Sequence, residues 1–185
     1  MKERSTRPQA VLSRNLAVAG LFELFLAGKR FEEISISEIC ETAGISRQTF
    51  YRNFDTKEDI ILYYVDEKVK QHMRNVVGIM EQDVEGFFGH LPFSNELLSY
   101  LMENNLMYLL RDSVLPLIDT FMQTNAYRLL LGDHKYDPYM AHYLADTMVS
   151  ILETWTLNDF AETPEELNRI MQGFMSGVGR PPQTE

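Results

Sequence analysis

Cysteine is almost absent. Cys40 stands alone among 185 residues, so no intramolecular disulfide framework can form. That usage suits a reducing cytosol, and a cytoplasmic location is expected. No uninterrupted apolar run approaches the roughly 18 residues of a membrane span. The first eight residues carry basic side chains without the apolar stretch of a signal peptide. Also missing are a Gly-rich phosphate loop, a nucleophile elbow and a Cys-x-x-Cys motif. Their absence removes the commonest signatures of an enzyme, so no catalytic residue and no cofactor is expected. His134, Asp137 and His142 do not have the i, i+4 spacing of a helical zinc pair. Asp137 is better used as a helix cap, and no metal is expected.

Positive charge is scarce overall, with 17 Lys/Arg against 27 Asp/Glu and a net charge of −10. Such a balance argues at first against nucleic acid. Its distribution reverses that. Residues 1–57 hold nine basic and seven acidic residues, a net of +2, while residues 58–185 hold eight and twenty, a net of −12. A mildly basic head on an acidic body can meet phosphate with the head alone.

What is present reads as helix throughout. Apolar residues make up 45% of the chain, enough for a core, and no strand alternation, repeat or low-complexity tract occurs. The chain is expected to be all-α, with a DNA-binding domain over residues 1–55 and a larger helical domain over 56–185. Residues 1–7 read either as an arm along DNA or as a loose terminus. A first helix is expected from about Pro8 to Lys29, facing inward through Leu12, Leu16, Ala19, Phe22 and Leu26. Phe31 should plug the small core beneath it.

The organising stretch is 35–54. Ser35 and Glu38 form a capping box that opens a short helix with Ile36, Ile39, Cys40 and Ala43 on one face. On that face Cys40 is a core residue rather than a redox sensor. Gly44 ends the helix in the left-handed region, and Ser46 caps the next. The second helix buries Phe50 and Phe54 and leaves Arg47, Gln48, Thr49, Tyr51, Arg52 and Asn53 for the surface. A polar helix propped on a small apolar one across a glycine turn is a helix-turn-helix DNA reader. In that geometry Arg47, Gln48 and Thr49 lie nearest the base edges. Arg suits guanine, Gln suits adenine and a Thr methyl suits thymine. Tyr51 can bond a phosphate or stack on the backbone, Arg52 can reach backbone or water, and Ser35 and Ser37 open a helix whose amides favour phosphate.

These residues also carry a resemblance. Ile39, Ala43-Gly44-Ile45-Ser46, Thr49-Phe50-Tyr51, Asn53-Phe54 and Lys57-Glu58-Asp59 resemble the signature of the tetracycline-repressor (TetR) family of bacterial regulators. The resemblance covers the first third of the chain. It implies that Tyr51 and Lys57 contact phosphate and that Ser46 to Thr49 read bases. It further implies that the last two long helices form a four-helix bundle with their twins.

Beyond the head, Asp55 or Thr56 should cap a long helix reaching about Met80, with Leu62, Val65, Val69, Met73, Val76 and Met80 as its stripe. Ser94 should open another helix and Ser113 a third, with Pro116 in its first turn. Helices over 137–160 and 163–178 have the clearest caps, and they are the expected homodimer element. Aromatic and Met residues from Gly86 to Trp155 suit an apolar small-molecule pocket. Phe93, Tyr100, Tyr108, Phe121 and Trp155 are the expected lining. The function expected is a homodimeric repressor on a palindromic operator, modulated by a small apolar ligand. The alternative is an activator or co-regulator of the same fold acting through a protein partner.

Overall fold

A computed structural model describes residues 7–80, 93–123 and 138–178, and all regular structure among them is helical. The chain forms two compact units, Met1–Val65 and Asp66–Glu185. In the first, α1 (Pro8–Leu26) is followed by a 3-10 turn (Phe31–Glu33), α2 (Ile36–Thr42) and α3 (Arg47–Asn53). Helix α4 (Glu58–Met80) begins in this unit and runs on into the second.

Helix α1 buries a different face from the one its periodicity suggests. Ala17, Gly20, Leu21, Leu24 and Phe25 are inside, with Arg14 beside them, while Leu12 is 59% exposed and Leu26 83%. Both faces are apolar, so spacing cannot choose between them. Gly20 decides. A Cβ built there would lie 2.9 Å from Ala43 Cβ and 2.9 Å from Ala43 N. Only the bare glycine lets α1 approach the end of α2 this closely, and that contact turns the Ala17–Leu21–Leu24 side inward. The Arg14 guanidinium lies 5.1 Å from the centre of the Tyr63 ring, and Tyr63 donates to Asn15 Oδ1 at 3.1 Å. By length and composition alone α1 is apolar enough to cross a membrane, with a mean hydropathy of 1.2. Arg14 and Glu23 interrupt it, and it packs against α2 and α3.

Helix α1 stops at Leu26, three residues before the expected end. Gly28 has φ +78°, Gly28 N donates to Phe25 O at 2.8 Å, and Lys29 N donates to Leu24 O at 3.1 Å. This left-handed closure satisfies carbonyls the helix would otherwise leave open. Phe31 is buried, as a core plug should be.

The start of α4 is held by Thr56 and Asp59. Asp59 Oδ2 accepts from the amides of Asp55 (2.8 Å) and Thr56 (3.0 Å), and Thr56 Oγ1 accepts from Asp59 N (3.3 Å). Its buried residues are Ile60, Ile61, Tyr63, Val65 and Val69; Leu62 is only half-buried. The helix therefore turns Ile61, Val65 and Val69 inward at four-residue spacing. Side chains from Met73 onward lie outside what the structure describes.

The second unit contains α5 (Asn95–Glu103), α6 (Tyr108–Met122), α7 (Pro138–Leu157) and α8 (Pro164–Val178). Helix α7 packs against α5, α6 and α8. Ser94 caps α5 by accepting from Leu97 N at 3.3 Å. Asn105, at φ 57°, closes it, with Leu106 N donating to Leu101 O at 2.7 Å. Helix α6 corrects the expected start at Ser113. It begins at Tyr108, so Ser113 is buried mid-helix and Pro116 is interior. The face Leu110, Val114 and Ile118 holds the helix together across the proline. The carbonyl that Pro116 leaves without a donor belongs to Asp112, which is exposed and can meet water. Helix α7 ends at Leu157, and α8 opens with the expected capping box: Thr163 N donates to Glu166 Oε2 (2.8 Å), and Glu166 N to Thr163 Oγ1 (3.3 Å). Expectations that fall on 81–92 and 124–137, including His134 and the Asp137 cap, lie outside the described residues.

Candidate nucleic-acid interface

The geometry of α2 and α3 is set by side chains bonding to nearby backbone. Glu38 N donates to Ser35 Oγ at 3.2 Å, and Ser35 N donates to Glu38 Oε2 at 2.8 Å. Lys29 Nζ meets Glu38 Oε1 at 2.7 Å, tying the end of α1 to the start of α2. The Lys29 hydrogen bond first, then the Ser35 amide and hydroxyl, hold the Glu38 carboxyl at about 2. Ile45 N donates to Cys40 O at 3.0 Å across Gly44, whose φ is +63°. Cys40 is buried, and burial pushes its thiol up. That is the environment of a core residue.

Ser46 caps α3, accepting from Thr49 N at 3.1 Å. Its Oγ also lies 2.9 Å from Thr49 Oγ1. Asn53 Nδ2 donates to Thr49 O at 2.9 Å. Phe50 and Phe54 are buried, their centroids 5.7 Å apart, and the Tyr51 ring stands edge-on to Phe50 at 5.4 Å. Two i, i+4 pairs, Arg47 with Tyr51 and Gln48 with Arg52, are left exposed together. Thr49 is half-buried at their edge. The structure thus presents four long polar side chains, two of them cationic, on one side of a short rigid helix. Such a surface can bond phosphate oxygens and base edges at once.

Not every expected contact is equally available. Ser37 is exposed, but the amide and hydroxyl of Ser35 are both engaged by Glu38. Lys57 is turned inward. Its ammonium donates to Phe31 O, to Ile34 O at 2.9 Å and to Glu32 O at 3.4 Å, and sits 4.4 Å from the centre of the Phe31 ring. Spacing alone gave no sign of these partners, which lie 23 to 26 residues earlier in the chain. The Lys29–Glu38 pair was missed in the same way; a lysine just past the end of α1 was the available signal.

In the second unit a cavity of about 550 Å³ opens between α7 and α8. Tyr143, Ser150, Ile151, Trp155, Leu167 and Phe174 are among the side chains lining it. Of the four expected pocket residues whose side chains are described, Trp155 alone lines it, and Trp155 is fixed by donating Nε1–H to Glu162 O at 2.8 Å. Phe93 is buried, Tyr100 is half-buried with its phenol pushed up by desolvation, and Tyr108 is 56% exposed. The Phe121 side chain lies outside what is described. No group of three or more His, Cys, Asp or Glu able to hold a metal occurs among the described residues.

Residues 26–64 match the family model for bacterial regulatory proteins, tetR family. Over 68 residues the chain is 38% identical to the HTH-type transcriptional regulator EthR of Mycolicibacterium smegmatis, a stretch covering 37% of this chain and 31% of that protein. The chain thus spans about a third of the length of this curated relative. It is 25% identical over 154 residues to an uncharacterized HTH-type transcriptional regulator of Haemophilus influenzae, covering 77% of this chain and 75% of that one. Among solved structures, the fatty acid degradation regulator FadR from Bacillus halodurans superimposes with a TM-score of 0.54 at 15% identity, over 94% of this chain and 97% of that one. That likeness establishes a shared all-helical fold.

Proposed function

We propose that the chain is, through the match at residues 26–64, a member of the tetR family of bacterial regulatory proteins, and that it is a sequence-specific DNA-binding transcriptional regulator, a homodimeric repressor acting in the cytoplasm. The observation that carries this reading is the exposed face of α3, where Arg47, Gln48, Tyr51 and Arg52 stand together above a buried Phe50. Arg47 and Gln48, in the first turn, read bases, with Thr49 at their edge. Tyr51 and Arg52 hold the backbone, with the exposed Ser37 and Ser46 beside them, while Ser35 serves as the cap of α2.

One α3 helix reaches too few bases for tight specific binding, and two-fold dimers reading half-sites about 34–36 Å apart are the usual solution. The α7–α8 surface suits a second copy. Tyr143, Ile170 and Phe174 are exposed there beside the open cavity, an apolar surface of the kind a second copy can cover. The regulator responds to a small apolar ligand bound in the second unit, where Ile151, Trp155 and Leu167 give the cavity between α7 and α8 an apolar lining. Such a ligand shifts operator binding only as far as it prefers one conformation over the other.

Selection from a random duplex pool with the purified protein tests the reading. Enriched palindromes are expected. Arg47→Ala and Gln48→Ala should relax base preference at defined positions, while Arg52→Ala weakens all duplexes alike. A pool that shows no enrichment over repeated rounds refutes direct DNA reading and favours a co-regulator acting through a protein partner.

A further inference from the structure

We propose that Lys57 is a positioning residue of the DNA-binding unit, acting through the connection between α1 and α2 and not by contact with phosphate. The inference rests on the DNA-binding reading above and assigns this lysine a part in it. An ammonium has three donors and no acceptor. Here three carbonyls, those of Phe31, Glu32 and Ile34, surround it, and the Phe31 ring covers one side at 4.4 Å. The first of those carbonyls opens the 3-10 turn, and the last precedes Ser35, the cap of α2. Lys57 itself stands between Thr56, which caps α4, and Glu58, where α4 begins.

One side chain therefore clasps the α3–α4 connection to the α1–α2 connection. Helix α3 lies between these two points in the chain, with Phe50 packed beneath it. With the clasp closed, the start of α2 and the start of α4 cannot separate, and the pitch of α3 is fixed from both ends. With the clasp removed, the 31–34 segment loses the cation that neutralises its carbonyls. Helices α2 and α3 can then swing against each other. To reach a phosphate instead, the ammonium would have to abandon three acceptors and an aromatic face, a cost a fully exposed lysine would not bear.

The test compares wild type, Lys57→Ala and Lys57→Met on a selected duplex at several salt concentrations, beside amide hydrogen exchange of the free proteins. The clasp predicts affinity down tenfold or more at every salt concentration. It also predicts an unchanged slope of log affinity against log salt, and faster exchange across residues 31–38. A phosphate contact predicts instead a slope flatter by about 0.9 per head with exchange unaltered, and that result overturns the proposal.

Should neither variant fold, lysine labelling of the wild-type protein decides. Lys57 should react more slowly than the exposed Lys70, equally with and without DNA. A Lys57 that labels freely alone and is shielded by DNA overturns the clasp. If the wild type selects no duplex, the DNA reading fails by itself; labelling and exchange of the free protein still report on the clasp, and a Lys57 as reactive as Lys70 refutes it.

Discussion

Replacing Gly20 with alanine pits two effects of opposite sign against each other. In an exposed helix the change would stabilise by about 1 kcal/mol, because glycine is a poor helix former. At this site the new methyl would stand 2.9 Å from Ala43 Cβ, 2.9 Å from Ala43 N and 3.1 Å from Ala43 Cα. Two of those atoms are backbone in the C-cap of α2 and cannot rotate away. Overpacking of this kind costs about 1–3 kcal/mol, so the clash should win by up to about 2 kcal/mol. For a unit of this size that lowers the melting temperature by about 4–8 °C per kcal/mol. It should also weaken DNA binding, because the displaced α2 carries α3 with it. Gly173→Ala in α8 is the control. A Cβ there meets nothing within 4 Å, and about 0.4–1 kcal/mol of stabilisation is expected. Thermal unfolding of both variants, followed by circular dichroism, reads the difference. A Gly20→Ala protein as stable as Gly173→Ala would refute the close crossing of α1 and α2.

Glu38 gives a pH dependence of known sign. Its carboxyl is lowered to about 2 from 4.5, first by Lys29 and then by Ser35, so the folded state prefers it ionised. The stabilisation is complete above pH 4.5 and is lost as pH falls towards 2. Denaturant titrations of wild type and Glu38→Gln should differ above pH 4.5 and converge in acid; a difference that grows in acid would contradict the pairing. Ile170→Glu with Phe174→Glu should give a folded monomer in equilibrium sedimentation at micromolar concentration. A dimer persisting in that variant would rule out the α7–α8 surface.

The sequence by itself determined the local grammar. Ser35 with Glu38, Ser46 with Thr49, Ser94 with Leu97 and Thr163 with Glu166 all bond within three residues. Gly28, Gly44 and Asn105 close helices through their own positive φ. Such interactions need no distant partner, so the helix-turn-helix and the exposed polar residues of α3 could be located from spacing alone. Only the tertiary structure decided which apolar side of α1 goes inside, because Leu12–Leu16 and Ala17–Leu21 are equally greasy and the choice belongs to Gly20 against Ala43. It likewise decided that α6 passes through Pro116, since the core face either side of it outweighs one lost hydrogen bond. Tertiary structure also drew Lys57 inward. A lysine on a helix start looks alike whether its partner is a phosphate or a carbonyl 26 residues away, and only the folded backbone places that carbonyl within reach.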